Sequence, residues 1–407
     1  LNEQNSAKPG HALLVWGLAD LYFILSVTFA MLLGVVLPNI ASELHLNTAD
    51  LGLLGFAFFL SFGLMQFFAG SLIDSKGPKL ALSVSAFIAA LGFFLLFYAE
   101  TLAWAIMAQM IIGVGFSITY VGAIYLAERW FSKERFPVMS GLTQMSANII
   151  SALVLFVMAV TGTISVDFRI IAISLGAISL ILALLLFLFV RRPPSQSQPP
   201  MKRSFLSSDL MQLFRIPQFW FGIFYFGSNF GVFLAFSSLW NIPDSIAYGH
   251  SLEAATKMSA MLRFGGAFGA VISGWLMSRL GHCSTLVKGY STGALIFTIC
   301  LIFGPVFPVP LTFSFMALMG FFFGGTALGF PLVAQHIPPD LKGAGFGLMT
   351  SFGYLLSALL EYLVGVILNR SNLPLTVLEF KIALAPLVFF TLVGWICSWR
   401  LKEKKEL

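Results

Sequence analysis

Gly70-Ser-Leu-Ile-Asp74-Ser-Lys76-Gly77 and Gly274-Trp-Leu-Met-Ser278-Arg279-Leu-Gly281 are two copies of one short pattern. Each closes the second hydrophobic run of its half of the chain, and each is followed at once by another apolar run. A pattern that returns in the same place of two successive blocks marks an internal repeat, so the chain reads as one unit written twice.

Composition names the solvent of that unit. Hydrophobic residues make up 58% of the chain and charged residues only 10%, against about 25% charged in a soluble domain. That much apolar surface cannot be hidden inside a water-soluble body of this length, so the solvent is lipid. The net charge of +6 is spread over short loops between apolar runs. This is a topology signal of membrane proteins rather than a nucleic-acid-binding stripe, and no nucleic-acid partner is expected. Cys283, Cys300 and Cys397 have no metal-ligand or disulfide spacing, and the five histidines are scattered; no metal or cofactor is expected. No Walker-type phosphate loop occurs, which argues against an ATP-driven pump. No nucleophile–base arrangement is visible either, so an enzyme is not expected. The first apolar run is too long for a signal-peptide core and reads as a spanning helix.

A bilayer core takes about 20 apolar residues as helix. Twelve such segments can be drawn, at 12–37, 51–72, 79–98, 103–128, 138–160, 168–190, 217–240, 252–278, 284–304, 309–334, 343–368 and 377–398. All are expected to be helical, because lipid offers no partner to an open strand. The expected fold is therefore all-α and integral to the membrane, with twelve transmembrane helices in two pseudo-symmetric six-helix bundles. The bundles are expected at 1–192 and 215–407. Between them the Pro-, Ser- and Gln-rich stretch 193–214 reads as a solvated linker, with a short surface helix over Ser207–Phe214. With the N-terminus inside, most of the 23 Lys and Arg residues fall on cytoplasmic loops and tails. Both termini are then cytoplasmic, in a cell inner membrane.

The first copy of the repeated pattern resembles the signature of the major facilitator superfamily, G-x-L-x-D-R-x-G-R. Ser75 stands where that family prefers Arg, and Pro78 occupies the final basic position, with Lys79 one place beyond. The charged loop Glu128-Arg129-Trp-Phe-Ser-Lys133-Glu134-Arg135 and the turn Pro338-Pro-Asp340-Leu-Lys342-Gly343 resemble the family's loops after helices four and ten. The resemblance implies a secondary transporter whose halves rock about a central site. It implies that Gly70, Asp74, Lys76 and Gly77 form a gating segment, with Asp74 latching to a helix N-terminus or to Arg129. Ser278 replaces the acid in the second copy, so a latch there is weaker. Two departures matter. Gln109 stands where proton-coupled members carry an Arg before Gly113-x-Gly115, and the fifth span lacks the Gly-Pro pair of drug antiporters.

A charge at the bilayer centre costs roughly 3 kcal/mol or more, so each one there needs a reason. Arg263 lies near the middle of the eighth span among Ser259, Gly266 and Ala267. Guanidinium suits a carboxylate through two parallel bonds, and some organic-anion carriers of the superfamily place an Arg in this helix. The alternative is a structural pair with Glu361 of the eleventh span. Asp20 and Glu361 are the candidate proton carriers. Polar residues on the helices that line the cavity in this family, or support those helices, are Tyr22, Gln144, Asn148, Tyr225, Asn229 and Tyr354; they are the candidate solute contacts beside Arg263. Gly265/Gly269, Gly320/Gly324 and Gly325/Gly329 form G-x-x-x-G spacings, read as close helix packing.

The expected function is secondary active transport of a small polar solute, an organic anion, carboxylate or amino acid, by alternating access and proton symport. The expected partners are that solute, the proton and the bilayer, with the protein as a monomer. Two rivals stand beside it: an exporter of siderophores or drug-like compounds, and a membrane receptor that binds without transporting.

Overall fold

The computed structural model of the protein describes residues 9–403, except 133–134, 164–165, 192–206, 282, 339–340 and 371–374. Twelve helices long and apolar enough to cross a bilayer follow one another: α1 Gly10–Glu43, α2 Thr48–Lys76, α3 Pro78–Phe97, α4 Leu102–Trp130, α5 Val138–Thr161, α6 Phe168–Phe189, α7 Pro217–Ala247, α8 Leu252–Leu280, α9 Cys283–Phe303, α10 Val309–Ala334, α11 Lys342–Asn369 and α12 Val377–Arg400. Among the described residues every regular element is helical. Large apolar side chains such as Phe68, Ile181, Phe268 and Phe389 stand exposed on the outside, the surface a lipid solvent requires.

Local chemistry sets the helix ends. Asn47 and Asp50 form a reciprocal capping box at the start of α2, and Thr376 and Glu379 another at α12. Ser251 caps α8 by accepting from Ala254 N. The two copies of the repeated pattern end alike: Gly77 (φ 81°) and Gly281 (φ 68°) both take a left-handed backbone and stop their helices. Glycine is the residue that does so without steric cost. This is the physical content of the last glycine in each copy.

Helix pairs repeat with an offset of six. α1 packs on α5 as α7 packs on α11; α2 packs on α4 as α8 on α10; α3 packs on α6 as α9 on α12. Across the two bundles α2 meets α11, and its symmetry mate is the contact of α8 with α5. The chain is thus two pseudo-symmetric bundles of six. The expected linker at 193–214 falls mostly outside the described residues. Ser207–Phe214 is the expected short helix, docked through buried Leu213 and through Trp220, whose indole N–H donates to the Phe214 carbonyl at 2.8 Å. The loop residues Lys133, Glu134 and Asp340 also lie outside the described residues.

Gly265/Gly269 of α8 and Gly320/Gly324 of α10 face each other, whereas Gly325 and Gly329 meet the rings of Tyr290 and Tyr225. A Cβ on Gly265 or Gly269 would run into the carbonyls of Ala317 or Phe321, and one on Gly320 into that of Leu262. The two backbones touch, as small-residue spacing allows.

α1 contains Pro38 near its far end and α12 contains Pro386, and three further helices are interrupted. α4 is interrupted between Phe116 and Thr119, α7 by a π turn over Phe236–Trp240, and α10 by a 3₁₀ turn over Gly325–Leu328. The interruptions of α4 and α10 are pinned alike. Tyr22 Oη donates to the Gly115 carbonyl at 2.9 Å and Tyr225 Oη to the Gly325 carbonyl at 3.4 Å, one tyrosine in each bundle.

Candidate functional site: a chamber between the bundles

The face holding the start of α1 and the end of α12 is termed the terminal face, and its opposite the far face. Contacts between the bundles concentrate toward the far face. Gly34 of α1 sits where a Cβ would meet the carbonyls of Ser238 and Leu239 on α7, at 2.8 and 3.4 Å. Gly52 of α2 faces Gly365 of α11 backbone to backbone. At mid-depth Ser351 Oγ donates to the Gly63 carbonyl at 2.6 Å, and the Tyr354 ring lies 4.4 Å from that of Phe62. Beyond this the two helices part: Gly70 near the end of α2 and Gly347 near the start of α11 have nothing within 4 Å of a Cβ position. The bundles are sealed at the far face and splayed at the terminal face.

Arg263, only 3% exposed, stands at the sealed end. One Nη2 N–H donates to Ser237 Oγ, the guanidinium carbon lies 4.6 Å from the Phe233 ring centre, and Nε has no partner. The expected alternative of a pair with Glu361 is not what forms. Among the described residues the ion pairs are Arg169–Glu43 and Lys257–Glu253, both at the far ends of helices. Glu361, fully buried, instead accepts from Ser238 Oγ at Oε1, while Oε2 is unpartnered and fills the space a Cβ on Gly55 would take. Consecutive serines on the π turn therefore contact the two ionisable groups, Ser237 touching Arg263 and Ser238 touching Glu361. The sequence reading missed both serines. Their only signal was a pair of hydroxyls beside Trp240 in an apolar helix, and no residue type announces a π turn.

Tyr354, half-buried, lies within electrostatic range of Arg263 on one side and of Tyr120 on the other, with the Tyr120 ring 5.1 Å from that of Phe23. Gln144 is exposed on α5, and Asn148 one turn on gives its amide N–H to the Gln144 carbonyl at 2.9 Å. Asp20, 5% exposed, accepts from Ser146 Oγ at 3.0 Å and leaves Oδ1 unpartnered. A turn earlier on α1, Trp16 Nε1 donates to Thr143 Oγ1 at 3.0 Å. The structure thus gathers Arg263, Glu361 and Tyr354 at or near the sealed end, and places Asp20, Gln144 and Asn148 on the α1–α5 side toward the terminal face.

Three expected solute contacts sit elsewhere. Tyr22 and Tyr225 are buried within their own bundles on the glycine carbonyls already described, and Asn229 is buried behind Tyr225, whose carbonyl its amide reaches at 2.8 Å, with Gly394 at its back. Among the described residues Asp74 forms no ion pair with Arg129, whose guanidinium lies 5.4 Å from the Tyr125 ring centre. A small pocket at the far face is lined by Asp244, Tyr248, His250 and Thr312.

The fold is two six-helix bundles in contact at one face, and the sequence profile described as Major Facilitator Superfamily matches residues 20–360. The chain belongs to the Major Facilitator Superfamily. It is a multi-pass membrane protein whose matched relatives are named as transporters and antiporters. Among characterised superfamily relatives, a probable galactarate/D-glucarate transporter of Escherichia coli is 29% identical over 34% of this chain and 32% of its own length. The oxalate:formate antiporter of Oxalobacter formigenes is 24% identical over 66% and 63%, and a probable sulfoacetate transporter of Cupriavidus necator 24% over 85% and 84%. The chain thus spans less than two thirds of the length of the first two. The solved structure of a nucleoside transporter superposes with a TM-score of 0.74 at 14% identity, covering 97% of this chain and 100% of that one; it shares the fold.

Proposed function

We infer that this superfamily member carries a small organic anion, with carboxylates favoured over amino acids, across a cell inner membrane by alternating access. The observation that carries the reading is Arg263: a buried guanidinium that donates to the Ser237 hydroxyl and, among the described residues, has no carboxylate paired to it. A buried charge left without an opposite one is costly, and a carboxylate that enters the chamber and binds in the fork geometry offsets that cost. The solutes named for the relatives, glucarate, oxalate and sulfoacetate, are all anions, which supports the same class. Gln144, Asn148 and Tyr354 are the polar groups on the route to Arg263.

The terminal face is assigned to the cytoplasm, because most Lys and Arg residues flank that end of the helices. Proton coupling is assigned to Glu361, a fully buried acid with no cationic partner among the described residues. Asp20 is the second acid on the route from the terminal face. In this scheme the anion and a proton occupy the chamber together, the terminal face closes through the Asp74 segment, and the far face opens where Gly52 and Gly365 now touch.

The test is uptake and counterflow in proteoliposomes with oxalate, D-glucarate and sulfoacetate, under an imposed proton gradient and without one. Saturable uptake of at least one anion, lost in Arg263→Ala, is the expected result. Uptake of none of them, or unchanged uptake in Arg263→Ala, overturns the anion reading. Outward-directed flux of an uncharged drug-like compound would favour the exporter instead.

A further inference from the structure

The π turn of α7 presents two adjacent hydroxyls to the two ionisable groups at the sealed end. Ser237 Oγ accepts from Arg263 and reaches the Phe233 carbonyl. Ser238 Oγ lies between Glu361 Oε1 and the Leu234 carbonyl, the latter at 2.6 Å. Each hydroxyl has a single proton and more than one place to put it. When Glu361 is a carboxylate, Ser238 donates to it. When Glu361 is a carboxylic acid, its own O–H donates to Ser238 Oγ, and the serine proton turns to Leu234. The π register makes this exchange available. Here the Asn241 amide reaches back five residues to the Phe236 carbonyl, and the carbonyls one turn earlier are served by serine side chains.

The same turn carries part of the far-face seal. The Ser238 and Leu239 carbonyls bear on Gly34, and Glu361 bears on Gly55. Anion site, candidate proton site and seal thus meet in five residues of α7.

We propose that Ser237 and Ser238 are positioning residues that link occupancy of Arg263 by an anion to occupancy of Glu361 by a proton, and both to the far-face seal. The proposal rests on the anion reading above. An anion drawn to Arg263 takes the guanidinium from Ser237 and brings negative charge beside Glu361. A second negative charge there is opposed, so a proton enters with the anion, and Ser238 reverses its hydrogen bond to accommodate it. Few other groups compete. Arg263 of α8 contacts Ser237, the neighbour of Ser238, Asp244 lies further along α7, and Tyr354 and Tyr362 share α11. α2 has no titratable side chain between Asp50 and Asp74, α1 has only Tyr22 between Asp20 and Glu43, and α5 and α10 have none.

Calorimetric binding of oxalate, D-glucarate and sulfoacetate to the purified full chain, from about pH 5.5 to about pH 7.5, tests the proposal. One proton taken up per anion makes wild-type affinity tighten by about tenfold for each unit of falling pH. Glu361→Gln is expected to bind with no pH dependence. Ser238→Ala and Ser237→Ala are expected to bind with a slope reduced to less than about threefold per unit, and Ser238→Thr and Ser237→Thr, which keep the hydroxyl, to restore it. Alanine variants that retain the wild-type slope overturn the relay while leaving the anion site standing. A wild-type affinity independent of pH overturns it as well. Arg263→Ala binding like wild type, or no binding of any of the three anions to the wild type, overturns the anion site itself and the relay with it.

Discussion

Gly52 on α2 and Gly365 on α11 meet backbone to backbone across the two bundles. A Cβ on Gly52 would lie 2.5 Å from the Glu361 carbonyl oxygen and 3.2 Å from the Gly365 Cα, and one on Gly365 would lie 2.5 Å from the Thr48 carbonyl oxygen. Backbone atoms cannot yield as a flexible side chain can, so a larger residue at either position must separate the helices. Gly365→Leu is expected to open the far face. A cysteine introduced nearby on α2 should then react with a membrane-impermeant thiol reagent added at the far face at least about tenfold faster than in the wild-type background, a difference of about 1.4 kcal/mol in the seal.

Gly70 and Gly347 are the counterparts toward the terminal face, where nothing approaches them in this state. Gly70→Leu and Gly347→Leu are expected to leave thermal stability of the purified protein nearly unchanged, since surface changes without new contacts stay within about 0.5 kcal/mol. Transport should nevertheless fall severely, because closing the terminal face brings these positions together. Normal transport in both variants would show that α2 and α11 do not close there.

Tyr22 and Tyr225 each donate to a glycine carbonyl beside a helix interruption. Tyr22→Phe and Tyr225→Phe remove one buried hydrogen bond and are expected to lower stability by about 1 kcal/mol each, read as a drop in melting temperature, with KM for the anion unchanged. A raised KM at unchanged stability would instead make them solute contacts, as their chemistry alone first implies.

Asp20 accepts from Ser146, and asparagine retains an acceptor at that place. Asp20→Asn is expected to keep the fold and to keep pH-gradient-driven accumulation at a reduced rate, whereas Glu361→Gln should abolish accumulation and spare counterflow. Loss of accumulation in Asp20→Asn alone would move the proton to Asp20.

Local composition carried the architecture. The twelve runs drawn from apolar length agree with α1–α12 to within a few residues at most ends; the chief differences are the far-face extensions of α1 and α7, to Glu43 and Ala247. Lipid leaves an apolar run no other option than helix, so length and hydropathy are enough. The glycines of the repeated pattern and the G-x-x-x-G spacings were legible for a similar reason. A residue without a Cβ in such a place has few physical uses, and Gly77, Gly281 and the α8–α10 contact show two of them.

The partner of a buried charge was not legible. Arg263 and Glu361 both read as deep in the membrane, and opposite charge offered a direct pair as the alternative to an anion site at Arg263. Whether they touch depends on the rotation of α7, α8 and α11 about their axes and on a single π turn that turns Ser237 and Ser238 between them. Hydropathy has no term for helix rotation, and a π turn inserts one residue per turn without any distinctive side chain. The sequence by itself determined the solvent, the twelve spans and the doubled plan. Only the tertiary structure decided that the bundles meet at the far face, that the guanidinium faces a hydroxyl, and that Tyr22 and Tyr225 turn inward, because these follow from the packing of helices against one another rather than from any helix alone.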